Sequence, residues 1–345
     1  MDLNNYILLE DVQAILLLTA NIGKKETDEP LTLKEYNSVA KWLSDNNLRP
    51  KNIFDQSVLP ELHDSKTVTI DTDRIRRLLD RGGKLALVLE KWFNQGLWLI
   101  SRIDEHYPKR IKKHLGNSSP PVLYGVGNKG LLDIGGLAVV GSRKPDEKAL
   151  QFTMRISEMC SDEDIQIISG GAKGIDREAM IAAADKGGAY IGVLANGLAK
   201  EALSGVYRSS LRDERGTLIS PFNPDAGFNV GNAMSRNKHI YTLADWALVI
   251  SASGQKGGTW AGAIENINKK WTPLFVRADD DVPEGNRLLI EKGAHNLTLS
   301  GIEENGSIRK TIERILNERA AKNEIEKEQV GEDDIQLTLF EESVD

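Results

Sequence analysis

Four short glycine-rich stretches carry the residue types suited to holding phosphate: Gly141-Ser142-Arg143, Ser169-Gly170-Gly171-Ala172-Lys173-Gly174, Asn196-Gly197 and Gly257-Gly258-Thr259. Glycine leaves backbone amides uncovered, and successive amides form concave anion nests. Three of the four stretches add a hydroxyl, while Arg143 and Lys173 add cations. One such turn says little, because glycine is common after strands. Four together point to a phosphate-binding edge. A fifth stretch, Met234-Ser235-Arg236-Asn237-Lys238-His239-Ile240, interleaves cations with polar residues, a pattern suited to a nucleic-acid backbone.

Groups for covalent or metal chemistry are sparse. His63, His106, His114, His239 and His295 are scattered and Cys160 has no second cysteine to pair with, so no zinc site is expected. Neither a GxSxG elbow nor a Walker loop is present. Asp176, Glu178 and Glu265 bring carboxylates near the glycine edge, where they read as helix caps or arginine partners. The string Gly125-Val126-Gly127-Asn128-Lys129-Gly130 has the spacing of a dinucleotide fingerprint, but no helix of several turns fits before the next strand. It reads as a strand end and a turn. No cofactor and no catalytic step are expected from these residues.

The glycine stretches sit where strands should end. Leu137 to Val140 is an apolar run suited to a strand covered on both faces. Ile165–Ser169, Tyr190–Leu194, Thr217–Ser220, Trp246–Ser251 and Thr272–Val276 follow, alternating with helical patterns. That alternation predicts a doubly wound, Rossmann-like α/β fold with a mostly parallel sheet. In a parallel sheet all four glycine turns share the carboxyl edge, where ligands bind. A helical run after Pro145-Asp146, with Leu150, Met154 and Ile156, should set an anion-attracting N-terminus beside Arg143.

Before the sheet, residues 1 to about 100 read as helical. Thr32 and Glu35 have capping-box spacing, and two helices flank Gly82-Gly83, read as a packing bundle in preference to a DNA-binding helix-hairpin-helix. Residues 98–115 read as a connector whose Lys109, Arg110, Lys112 and Lys113 form a solvated helix face. The expected organisation is an all-α N-terminal domain with connector over 1–115, the Rossmann-like domain over 116–320, and a disordered acidic tail over 321–345.

The 345 residues carry a net charge of −7, which argues against nucleic acid until its distribution is read. Lys322 to Asp345 holds nine acidic residues against two lysines, so the tail accounts for the whole excess and the body is neutral overall. A single cysteine and the lack of a signal sequence or apolar span predict a cytoplasmic protein with no membrane partner.

In order and spacing, Asp104 with Tyr107-Pro108, Pro120 to Asn128, Val139 to Arg143, Ser169 to Asp176, Arg236-Asn237-Lys238 and Gly285 followed by Leu289-Ile290 and Gly293-Ala294 resemble the DNA-processing protein A (DprA/Smf) family. The resemblance implies an extended Rossmann fold that binds single-stranded DNA in recombination, DNA uptake or defence against foreign DNA. It also implies a homodimer and help in loading a RecA-type recombinase. It would place phosphates on Gly141, Ser142, Arg143, Ser169, Gly170, Gly171 and Lys173, with Arg236 and Lys238 extending the track. The chain departs from the family pattern at Met180, at Ala199 to Tyr207 and at Gly257 to Gly262, and the winged helix often found at the family's C-terminus is not expected in its acidic tail. Gln336-Leu337-Thr338-Leu339-Phe340 resembles the peptide that docks bacterial proteins on the replication sliding clamp through Gln336, Leu337, Leu339 and Phe340. The rival reading is a nucleotide sensor or a phosphoribohydrolase of the LOG type, whose glutamate follows its glycine-threonine motif more closely than Glu265 follows Thr259.

Overall fold

Short apolar strands, most of them followed by helices, assemble into one nine-stranded sheet ordered β1-β2-β6-β5-β4-β3-β7-β8-β9. The computed structural model describes residues 9–23, 29–65 and 67–322. Five helices come first: α1 (Glu10–Thr19), α2 (Leu33–Asp45), α3 (Val58–Asp64), α4 (Thr72–Leu79) and α5 (Gly82–Asn94). Then come β1 (Trp98–Ser101), α6 (Lys109–Leu115), β2 (Val122–Gly127), β3 (Leu137–Val140) and α7 (Glu147–Asp162). They are followed by β4 (Ile167–Ser169), α8 (Ile175–Asp185), β5 (Tyr190–Val193), α9 (Leu198–Glu201), α10 (Arg208–Arg212) and β6 (Gly216–Ser220). The chain continues through α11 (Val230–Leu243), β7 (Trp246–Val249), α12 (Gly257–Lys269), β8 (Leu274–Arg277), α13 (Glu284–Glu291), β9 (His295–Leu297) and α14 (Leu299–Asn305). A last helix, α15, covers residues 308–322.

Strand β2 runs antiparallel to β1 and β6, and every other pairing is parallel. The doubly wound, Rossmann-like reading therefore holds. Alternation along β3 shows the layering. Leu137 and Val139 face one core with α7, α8 and the N-terminal helices, while Ala138 and Val140 face the other with α6, α11 and α12. Strand order reverses between β3 and β7, which opens a crevice at their carboxyl ends.

Local signals set several boundaries. The capping box at α2 forms as its spacing predicts, with Thr32 Oγ accepting the Glu35 amide at 3.3 Å and the Glu35 carboxylate accepting the Thr32 amide at 2.7 Å. Gly82 and Gly83 are not a turn between helices; they open α5, and Asp80-Arg81 make the turn. The stretch expected as a connector supplies the edge strand β1 and helix α6. Trp92 on α5 donates to Asp225 at 2.9 Å and meets Tyr124 of β2 edge-on, tying the first helices to the sheet. Residues 321 and 322, expected to open the tail, end α15, and the rest of the acidic tail with its Gln336 to Phe340 motif lies outside the described residues. Among the described residues, no helix is long and apolar enough to cross a membrane.

Candidate nucleic-acid interface

The crevice between β3 and β7 is a cleft of about 360 Å³ whose walls come from the β3 turn, α11 and the start of α12. It brings together Gly141, Ser142, Arg143, Arg236, Asn237, Gly257, Gly258 and Thr259 of the residues expected from sequence. A cross-brace holds the walls in register. Thr259 Oγ1 donates to the Gly141 carbonyl at 3.0 Å, and Asn237 Nδ2 donates to the Gly258 carbonyl at 3.0 Å. The Thr259 hydroxyl is thus committed to the frame, a different use from the phosphate contact its motif suggests. Gly141 is required on packing grounds, because a Cβ there would stand 2.7 Å from the Ile175 side chain.

Charge is arranged in two tiers. Arg143 is exposed, with its guanidinium 5.5 Å from the Phe228 ring centroid, and Lys256 is exposed at the start of α12. Below them Arg236 is 4% exposed and sits 3.9 Å from Asp176, an ion pair too long for a hydrogen bond. Its Nε and Nη1 have no hydrogen-bond partner. Burial raises the Asp176 pKa, opposed by Arg236 and by the Gly141 amide, which donates to it at 3.3 Å. Gly170 makes room for this pair: a Cβ would fall 1.6 Å from Arg236 Nη1.

The helix expected to attract anions is not the one left open. Asp146 caps α7 by accepting the Ala149 amide at 2.7 Å, so that N-terminus already holds a carboxylate. Helix α8 has no side-chain cap, but its first turn carries the Asp176 carboxylate. Helix α12 has no side-chain cap and begins at the cleft, so its free amides and dipole face the space beside Arg143.

The remaining expected residues lie elsewhere. Ser169 and Gly170 are buried at the end of β4, and Ser169 Oγ donates to the Val139 carbonyl at 2.6 Å. Gly171 is half-buried with φ +63, and Lys173 is exposed beyond the cleft wall. Asn196 and Gly197 end β5, two strands from β3, and the Gly197 amide is used by the Ala226 carbonyl. Lys238 is half-buried, and burial lowers its pKa against the pull of Glu265. Glu178 and Glu265 do not line the cleft, and Glu265 is exposed. The stretch around Arg236 is mid-helix rather than an exposed helix start, which is why Arg236 and His239 point inward.

Sequence reasoning missed Phe228 and Lys256, and it took in Met234 only as the first residue of the stretch around Arg236. Phe228 is 59% exposed, an unusual setting for a phenylalanine, and its sequence signal is weak, an aromatic residue in a loop that holds two prolines, two asparagines and a second phenylalanine, Phe222.

His239 carries a testable consequence. Burial, then Lys238 and Arg236, push its pKa down to about 3 from an ordinary 6.5. The unfolded chain takes the proton and the native chain refuses it, so the stability held above pH 6.5 drains as pH falls toward the folded value. The loss is about 1.4 kcal/mol per pH unit. A His239→Leu chain should therefore lose about 2 kcal/mol less than wild type between pH 7 and 5 in urea unfolding. Equal losses in the two proteins would contradict this.

Comparison with known proteins places the sequence and the fold among relatives. A family model described as DNA recombination-mediator protein A matches residues 98–304. The chain is 35% identical over 205 residues to the DNA processing protein DprA of Streptococcus pneumoniae, a match covering 58% of this chain and 70% of that protein. It is 28% identical over 207 residues to Protein Smf of Synechocystis sp., covering 58% of this chain. The match spans about half of that relative, 49% of its length. The X-ray structure of DNA processing protein A from S. pneumoniae superposes with a TM-score of 0.63 and 20% identity, covering 86% of this chain and 95% of that one, a likeness of fold.

Proposed function

The chain belongs to the DNA recombination-mediator protein A family, and from that premise we propose that it binds single-stranded DNA along the edge of the β3–β7 cleft. The observation that carries the reading is the conjunction of exposed Arg143 with the uncapped start of α12 in one cleft. Amides and a fixed guanidinium contact phosphate without reading sequence, and the exposed Phe228 ring offers a face on which a base can stack. The function is positioning rather than catalysis. The one carboxylate on the cleft wall among the described residues, Asp176, is committed to Arg236 and Gly141, and Glu265 lies off the cleft, which disfavours the phosphoribohydrolase reading.

Anisotropy of a labelled oligothymidine across a salt series tests this. The account expects log affinity to fall linearly with log salt, by about 0.7 per phosphate neutralised, with similar affinity for other base compositions. No binding, or binding insensitive to salt, would reject it.

The family premise also supports a cytoplasmic homodimer that places single strands for a RecA-type recombinase. We assign clamp docking to Gln336, Leu337, Leu339 and Phe340 on their motif alone. A Leu339→Ala, Phe340→Ala chain should lose binding to purified sliding clamp and keep wild-type affinity for oligothymidine. Retained clamp binding would remove this part of the proposal.

A further inference from the structure

The β3–β7 cleft has the volume of a binding pocket. At about 360 Å³ it falls at the small end of the range for small-molecule sites, about 300–1,000 Å³. Its floor is where the polar groups stand unused. Arg236 is 4% exposed and lines the cleft, yet its Nε and Nη1 lack hydrogen-bond partners. A buried guanidinium with free donors is costly unless an acceptor completes it. The α12 amides open into the same space without a cap, while the N-terminus of α7 is already capped by Asp146.

Charge narrows the identity of that acceptor. Among the described residues, Arg143, Arg236 and Lys256 border the cleft against the single carboxylate of Asp176, an excess of two positive charges. An internal phosphodiester carries one negative charge, whereas a phosphate monoester carries about −1.5 to −2 at pH 7. Phe228 stands beside Arg143 at the cleft, so a phosphate on the floor leaves its nucleoside against an aromatic wall.

We propose that the β3–β7 cleft is a pocket for a terminal nucleotide, binding its phosphate monoester on Arg236, Arg143 and the α12 amides with the nucleoside against Phe228. The proposal rests on the DNA-binding reading for its location and adds the ligand's form. A free mononucleotide and the phosphorylated end of a DNA strand present the same chemistry, so the experiment carries both.

The test uses the unaltered full chain, so no variant has to fold. Labelled oligothymidines of one length are compared with a 5′-phosphate, with a 3′-phosphate and with neither, beside circular single-stranded DNA. Unlabelled dTMP and thymidine serve as competitors. The account expects one phosphorylated end to tighten binding by about tenfold, or dTMP to displace the unphosphorylated oligomer where thymidine does not. The first result names the strand end as the source, and the second names the free nucleotide. General attraction to one more distant charge is screened within about 8 Å at physiological salt and leaves less than about a twofold difference. Affinities within that margin for all the linear oligomers, together with no displacement by dTMP, overturn the terminal-nucleotide pocket while leaving DNA binding intact. Failure of every oligomer to bind would instead strike the DNA-binding reading, and direct calorimetric titration with dTMP, against thymidine, would then decide the pocket alone. Heat of binding for dTMP only supports it, and none for either overturns it.

Discussion

An Arg143→Ala chain is expected to bind oligothymidine about ten- to a hundredfold more weakly than wild type at moderate salt. That is the range for losing one charge-assisted contact to phosphate. Arg143 is an exposed cation on the cleft wall facing the start of α12, and its guanidinium already lies 5.5 Å from the Phe228 ring centroid, so it reaches a bound strand without rearrangement. Because the lost contact is ionic, the salt slope should also become shallower, by about 0.7. Lys173 separates local contact from general attraction. It is exposed but does not line the cleft, so Lys173→Ala should cost less affinity than Arg143→Ala. An Arg143→Ala chain with wild-type affinity and slope would show that DNA lies elsewhere.

The largest effect on stability is expected at Asp176. Asp176→Ala leaves Arg236 as a buried cation without its counter-charge, a change that costs about 3–5 kcal/mol. The measurement is the urea unfolding free energy, with Asp176→Leu, Arg236→Met as the companion chain. That pair removes both charges and should recover most of the loss, because two buried apolar side chains replace an ion pair whose desolvation was never fully repaid. A loss under about 1 kcal/mol for the single variant would mean that water screens the pair and that the cleft floor is wetter than its burial indicates. Gly170→Ala approaches the same pair from the β4 side, where its Cβ would collide with Arg236.

These two residues show what the sequence made legible and what it hid. The β3 turn was readable because four apolar residues fix a buried strand and Gly-Ser-Arg must follow at its carboxyl end. Parallel pairing then placed the other turns on the same edge, as β4, β5 and β7 confirm. What the edge could not reveal was depth. Ser169 and Gly170 end their strand on that edge and are nonetheless buried, because α8 and Arg236 pack over them. The basic run at Arg236 misled for a different reason: alternating charge along the chain says nothing about which helix face each residue takes. A helical count would have helped, since Arg236, His239, Ile240 and Leu243 recur at the spacing of one inward face. Phe228 lay beyond such counting. It sits ahead of α11 in a loop without periodicity, and only the folded chain brings it over Arg143. The open N-terminus of α12 was hidden likewise, since whether a helix is capped depends on neighbours that its own sequence does not name.

The claim on which the account turns is that single-stranded DNA is held where β3 and β7 diverge. A crystal structure of the full chain with a short oligothymidine tests it most directly. The account predicts a phosphate within hydrogen-bond distance of both the Arg143 guanidinium and an amide of the first α12 turn, with a base against Phe228. An oligomer ordered on another surface, with the β3–β7 cleft occupied only by water, would contradict it.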